Sequence, residues 1–261
     1  MRAALHEDIL REALLGGLWR SVEVVARTGS TNADLLGRGG PEGQVLVAEE
    51  QTAGRGRMGR SWVSQPGASL TFSVLLRPVF VPAARRGWLP LLAGVAVATA
   101  VSAKAAVAAT LKWPNDVLIG DRKLAGILAE QSGAAVVIGI GLNVATPRDS
   151  LPTSPAGQQA TSLLAEGADV ARDVLLVGVL RHMELWYRAF RDDPDPARSG
   201  LLAEYRTLCG TLGRSVRVEL PGGHAVAGVA EDIDTDGRLL VREPDAASPT
   251  PVSAGDVIHL R

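Results

Sequence analysis

The chain has 261 residues, of which 46% are hydrophobic and 21% charged, and a net charge of −1. This balance excludes intrinsic disorder and any whole-protein attraction to nucleic acid or anionic membrane, and the length suits one large domain with a small one appended. A single cysteine, Cys209, excludes an intrachain disulfide, and no tight Cys/His cluster offers a zinc site, so a reducing compartment, the cytoplasm, is expected.

His6, Glu7, Asp8, Arg11 and Glu12 break up what would have to be the apolar core of a signal peptide. Leu5, Ile9, Ala13 and Leu14 recur at helical spacing, which predicts an amphipathic helix within Leu5–Leu18. Alternating Val22, Val24 and Ala26 predict a strand. In Thr28-Gly29-Ser30-Thr31-Asn32, small hydroxyl and amide residues precede Leu35-Leu36, the pattern of a helix N-terminus. A cap uses one or two of them and leaves the rest free to face a polar ligand. Val45–Ala48 is a short apolar strand that runs through Glu49 and Glu50 into a glycine-spaced loop, and Ser69–Leu76 alternates into another strand. Arg85–Lys104 contains the apolar run Trp88–Ala103, which is too short and too broken by Pro90 and Gly94 for a membrane span and reads as a buried helix.

Thr110–Trp113 resumes extended structure, and Asn115-Asp116 and Gly120-Asp121 mark turns. Leu124–Glu130 and Ala134–Val144 form a hairpin about Gln131-Ser132-Gly133. Thr146–Gln159 is a loop, and helices follow at Thr161–Glu166, Arg172–Arg191 and Ala197–Leu208. From Gly213 the pattern changes to short alternating strands, Val216–Leu220, Ala225–Glu231, Arg238–Arg242 and Asp256–Leu260, as in a small β-barrel. Two domains are expected, 1–209 and 210–261.

The loop Gln51–Trp62, QTAGRGRMGRSW, carries Arg55, Arg57 and Arg60 and no acidic residue. Gly54, Gly56 and Gly59 let the backbone approach a ligand, and guanidinium forks bind phosphate or carboxylate bidentately. It has neither a strand nor a helix period, so a mobile loop that orders around an anion is expected. A solvated turn or a generic nucleic-acid contact is the bland alternative for such a loop taken alone. Its company is more specific: Lys112-Trp113-Pro114-Asn115-Asp116, then Lys123-Leu124-Ala125-Gly126-Ile127-Leu128, then Gly139-Ile140-Gly141-Leu142-Asn143.

With these four motifs in order, ahead of a small β-rich segment, the chain resembles biotin protein ligase over nearly its full length. The resemblance implies an α+β fold: a mixed sheet flanked by helices, like the catalytic core of class II aminoacyl-tRNA synthetases, followed by an SH3-like β-barrel. It implies that ATP and biotin, with Mg2+, give biotinyl-5′-AMP and pyrophosphate, and that a lysine of a biotin carboxyl carrier protein then takes the acyl group. Such chemistry brings a carboxylate to a polyphosphate, so cations are needed.

By resemblance Lys123, Arg57 and Asp116 are the catalytic residues, with Asp116 placed to help deprotonate the incoming lysine. Ser30, Thr31, Asn32, Gln51, Gly54, Arg55, Gly56, Arg57, Lys123 and Gly126 belong to the biotin site. Arg55, Arg57, Arg60, Trp62, Asn115, Lys123 and Asn143 belong to the ATP site, and no metal site is assigned to protein side chains. Trp113 is expected to pack in the core beside its proline. Family members often carry a tryptophan after the GIGxN strand where this chain has Gln158-Gln159-Ala160-Thr161-Ser162, which leaves Trp62 for adenine or as a loop anchor. Met1–Arg20 can supply one helix, not the helix-turn-helix of the family's repressors, so no DNA and no membrane partner is expected. The competing readings are a lipoate or octanoate transferase of the same fold and an RNA-binding module.

Overall fold

The computed structural model describes residues 4–153 and 158–260. Its larger sheet comprises β1 (Ser21–Thr28), β2 (Gln44–Gln51), β3 (Ser69–Leu76), β4 (Thr110–Lys112), β5 (Asp116–Ile119), β6 (Arg122–Ser132) and β7 (Ala135–Asn143), in the order β1-β2-β3-β7-β6-β5-β4. β1 and β2 pair in parallel and the other neighbours are antiparallel. Helices α1 (Glu7–Leu14), α3 (Trp88–Ala105), α4 (Arg172–Asp192) and α5 (Leu201–Leu208) join the main core, whereas α2 (Thr31–Arg38) packs with a separate small cluster.

Alternation along the strands divides these two sides. On β3, Leu70, Phe72, Val74 and Leu76 enter the main core with the apolar α3. Leu75, Leu46 and Val137 face the other way, against Leu35 of α2. The face under α2 therefore has only a short helix over it, and along it Ser69, Thr71 and Ser73 are buried polar residues. A buried hydroxyl row needs partners, so this is the face on which polar chemistry is to be sought.

A second, antiparallel sheet contains β8 (Ser215–Glu219), β9 (Ala225–Ile233), β10 (Leu239–Arg242), β11 (Thr250–Val252) and β12 (Asp256–His259), ordered β11-β10-β9-β8-β12. It is not loosely tethered. Val216, Ile233, Leu239 and Val241 belong to the same apolar core as the first sheet. The Trp113 indole N–H donates to the Gly237 carbonyl at 3.0 Å and that of Trp88 to the Thr235 carbonyl at 2.9 Å. Trp113 is 1% exposed, the packing role expected of it.

Several boundaries differ from the sequence reading. Asp116 opens a four-residue strand instead of ending a turn, and the hairpin turn is Gly133-Ala134 because Ser132 still pairs with Ala135. The predicted helix Thr161–Glu166 is one 3-10 turn, Leu164–Glu166, ended by Gly167 at φ 85°. The one predicted at Ala197–Leu208 starts at Leu201, after Gly200 at φ 81°. β11 was not predicted. Within the predicted loop Thr146–Gln159, residues 154–157 lie outside the described part of the chain.

Candidate active site

Ser30 caps α2 through its Oγ, which accepts from the Ala33 N–H at 3.5 Å, and the residues just after the cap turn onto the sheet. Thr31 gives its backbone N–H and its hydroxyl to Gln51 Oε1, at 2.8 and 3.0 Å. Ser73 Oγ lies 2.6 Å from both Thr31 Oγ1 and Asn32 Oδ1. The Asn32 amide donates to Glu130 Oε2 at 2.8 Å. Thr31, Asn32 and Ser73 are each under 5% exposed, so a neutral hydrogen-bonding cluster is sealed at one end of the site. It can read the donors and acceptors of a small uncharged polar group.

A line of directly paired residues crosses the sheet on this same face: Thr71 opposite Gly141, Gly141 opposite Gly126, Gly126 opposite Asp116, and Asp116 opposite Lys112. The two glycines make a floor without side chains. Trp62 lies on it: a Cβ at Gly141 would fall 2.2 Å from Trp62 Cε2, and one at Gly126 would fall 3.2 Å from Cζ3. One row further, a Cβ at Gly139 would fall 2.2 Å from Asn32 Oδ1. The GIG motif is thus a pair of clearances, one for the polar cluster and one for a flat group.

Trp62 is held there by the arginine loop, which is more ordered than the sequence suggested. Its arms pair as a miniature hairpin: the Trp62 N–H donates to the Gly54 carbonyl at 2.9 Å, the Gly56 N–H to the Arg60 carbonyl at 2.6 Å, and Arg55 bridges Ser61. At the tip, Met58 takes φ 55° and Gly59 φ 73°. A side chain at Gly54 would strike the Trp62 carbonyl at 2.4 Å, which is why that position must be glycine.

The loop's cations are already engaged. Arg57 donates to Asn115 Oδ1 at 2.9 Å and to the Gly255 carbonyl of the second sheet at 3.3 Å, and burial pushes its guanidinium below the usual arginine value. Arg60 forks onto Asp256 at 2.6 and 2.7 Å, and Arg55 reaches Glu130 at 3.4 Å. Lys123 Nζ lies 2.6 Å from Asp116 Oδ1, with the carboxylate side chain 14% exposed. A lysine and an aspartate in contact at the edge of a glycine floor, beside a cationic loop, suit the handling of an anion that is formed and passed on.

The Biotin/lipoate A/B protein ligase family matches residues 24–143, and the Biotin protein ligase C terminal domain matches residues 211–260. The chain is 46% identical over its whole length to the biotin--[acetyl-CoA-carboxylase] ligase of Mycobacterium tuberculosis, 98% of which it covers. It belongs to the biotin protein ligase family. It is also 34% identical to the bifunctional ligase/repressor BirA of Escherichia coli, with 88% of this chain matched to 71% of that protein. Among solved structures it resembles the Aquifex aeolicus biotin protein ligase in complex with biotin and ATP, with a TM-score of 0.79 and 28% identity over 93% of this chain and all of that one.

Set against the family motifs, the structure gathers Thr31, Asn32 and Gln51 into one cluster through Ser73, leaves Ser30 as the cap of α2, seats Trp62 over Gly126, and joins Lys123 to Asp116 and Arg57 to Asn115. Arg60 instead turns to the second sheet, and Arg55 is half-exposed at the rim. Asn143 spends its amide on the Thr161 carbonyl at 3.0 Å, and Thr161 in turn donates its N–H to the Lys123 carbonyl, so Asn143 braces the segment beside Lys123. Ser73, Glu130 and Gly141 were not singled out beforehand as site residues. The signal for Ser73 was present, because Ser69, Thr71 and Ser73 put one polar stripe into an otherwise apolar strand.

Proposed function

We propose that this chain attaches biotin to a lysine of a biotin carboxyl carrier protein in two steps at the site above. In the first, a biotin carboxylate oxygen attacks the α-phosphorus of ATP, the bridging oxygen leaves with pyrophosphate, and biotinyl-5′-AMP forms. In the second, the carrier amine attacks the acyl carbon and AMP departs. The observation that carries this reading is the Lys123–Asp116 pair at the end of the glycine floor, facing the arginine loop.

The polar cluster of Thr31, Asn32, Ser73 and Gln51 suits an uncharged ureido group, and the glycine floor, once the Trp62 ring lifts off it, suits the flat, narrow body of biotin. Lys123 turns from Asp116 to the carboxylate and α-phosphate, where its charge counters the negative charge that builds during attack. Asp116, freed, accepts the proton released as the carrier amine bonds to carbon. Arg57 closes over the mixed anhydride, which water would otherwise destroy.

Among the described residues no cluster of three or more metal-binding side chains exists. Asp116 is the one carboxylate on the paired row, so the residues suit a magnesium ion held chiefly by phosphate oxygens and water, which would neutralise the triphosphate. Cys209 is buried and unpaired, in keeping with a reducing, cytoplasmic setting.

The test is pyrophosphate release measured with and without biotin. Release should require biotin and should stop at about one adenylate per enzyme when no carrier is supplied. Biotin-independent release at a comparable rate, or release driven equally by octanoate or lipoate, would refute the reading.

A further inference from the structure

Glycine is, proline aside, the poorest residue for a helix interior, yet Gly178 stands inside the 21-residue α4. Neither usual reason for a glycine applies there. Its φ is not positive, and a Cβ would meet Ala100 Cβ at 3.5 Å and Lys104 Cγ at 3.6 Å, which is ordinary contact. What the missing side chain leaves is room. Gly178 lies at the bottom of a cleft of about 340 Å3 between α1, α4 and the C-terminal end of α3, at the small end of the range for ligand sites. These three helices belong to the main core, so the cleft lies across the larger sheet from α2 and the glycine floor and is no part of the site above.

The cleft is apolar at its base. Ile9 and Val174, 54% and 48% exposed, stand at its walls with the half-buried Val177. A hydrocarbon group seated among them would take that surface out of water.

The charges around it are mostly of one sign. Lys104, Arg181 and His182 line the cleft with a single carboxylate, Asp173, whose two oxygens are taken by the backbone N–H and the ring Nδ1 of His6, at 3.2 and 2.8 Å. Lys104 and Arg181 make no ion pair among the described residues, and Arg181 donates to the Ala13 carbonyl at 3.2 Å. Burial and the nearby Lys104 charge hold the His182 imidazole below its usual value, so Lys104 acts on this cleft with no anion to offset it. We propose that the cleft binds a small amphipathic carboxylate, with its hydrocarbon body over Gly178 and its charged end on Lys104 and Arg181. A neutral or cationic molecule of the same shape would gain only the apolar part of that contact.

The experiment titrates the full chain with decanoate by calorimetry at low salt, with and without saturating biotin. One saturable site with a Kd below about 1 mM is expected, unaffected by biotin. Decyltrimethylammonium, with the same chain and the opposite charge, should bind about tenfold more weakly or worse. Gly178→Ala should melt no lower than wild type, because its Cβ fits and alanine favours the helix, and it should weaken decanoate by about threefold or more. Gly178→Leu should weaken it by about tenfold or more; if that variant fails to fold, the alanine variant decides alone. Replacing both cations, as Lys104→Gln with Arg181→Gln, should cost about fivefold or more, since both side chains are exposed. Binding that does not saturate, that is matched by decyltrimethylammonium, or that is unchanged in the Gly178 variants overturns the proposal. Displacement of decanoate by biotin would put it in the other site and overturns it too. So does a sedimentation coefficient that rises with protein concentration in wild type but not in Gly178→Leu, which would seat a second copy of the chain in the cleft.

Discussion

Gly141→Ala isolates the glycine floor. The added methyl would lie 2.2 Å from Trp62 Cε2, 2.5 Å from Cζ2 and 2.6 Å from Nε1, all well inside the 3.4–4 Å of ordinary contact. Gly141 sits within β7 and has no positive φ, so alanine suits its backbone and the whole effect is steric. The ring must lift. An aromatic side chain buries about 150–250 Å²; losing half of that at about 25 cal/mol/Å² costs about 2–3 kcal/mol. For a protein of this size the melting point should drop by about 4–12 °C. Urea denaturation of Gly141→Ala, Trp62→Ala and the double variant closes a cycle. Once Trp62 is absent, Gly141→Ala should cost little, so the double variant should be about as stable as Trp62→Ala alone. Biotin affinity by calorimetry should fall about tenfold or more in both backgrounds, because the methyl also occupies the ligand's path. Strict additivity of the two stability losses would refute the contact. Unchanged biotin affinity would show that the floor is not where the ligand lies. Gly126→Ala, whose Cβ would meet Trp62 at 3.2 Å and Lys123 at 3.3 Å, should behave the same way but more mildly.

Lys123→Ala should cut adenylate formation by about a hundredfold or more while the protein still folds, since Lys123 is a partly exposed strand residue; near-normal single-turnover adenylation would exclude a catalytic role for it. Arg57→Gly should form the adenylate but let it escape about ten- to a hundredfold faster, by loss of a charge-assisted hydrogen bond. The readout is biotinylation of serum albumin, and equal labelling by wild type and variant would exclude a retaining role. His259 gives a stability test. Its Nδ1 lies 3.3 Å from an Arg214 nitrogen that can only donate, and its Nε2 lies 3.1 Å from Thr211 Oγ1, which fixes a neutral ring. Burial, helped by Lys112 and Arg214, pushes its pKa down to about 4 from 6.5. The unfolded chain therefore takes up a proton between pH 6.5 and 4 that the folded chain refuses, so this contribution is present above pH 6.5 and is lost as pH falls to 4. Because the ring is only half enclosed, about 1–2 kcal/mol is expected after solvent screening. His259→Asn should flatten the stability profile in that window, and identical profiles would contradict the assignment.

The strands with one apolar face were legible from the sequence alone. β3 occupies Ser69–Leu76 as predicted because its alternation matches burial on both faces. β5 was missed because four residues between two turns carry too short a pattern, and its existence depends on β4 and β6 on either side. β11 was missed because Pro251 argues against a strand; it survives at the sheet edge, where a missing N–H costs least. At Thr161–Glu166 local helical preference lost to long-range bonding: the Thr161 N–H donates to the Lys123 carbonyl, the Leu163 N–H to the Asn143 carbonyl, and Arg122 binds the Glu166 carboxylate. The site was legible as motifs and not as geometry. Nothing local in GRGRMGR says that Arg60 will meet Asp256, 196 residues away, or that Trp62 will lie across Gly126 and Gly141.

These non-local pairings bear on how the loop can both hold and release a ligand. Arg60–Asp256 and Arg55–Glu130 have arginine side chains about half exposed, at 51% and 56%, and exposed pairs contribute only about 0–1 kcal/mol each. Arg57 differs, since it is more deeply enclosed and its partners, Asn115 and the Gly255 carbonyl, are neutral. A partly enclosed guanidinium with no carboxylate in hydrogen-bond contact is the member of the set with most to gain from an anion, at about 1.5–3 kcal/mol for a charge-assisted bond. Ligand phosphate should therefore draw Arg57 first, and the weak outer pairs should yield with it. Departure of AMP should then restore the contacts with the second sheet, at the Gly255 carbonyl and at Asp256, the first residue of β12.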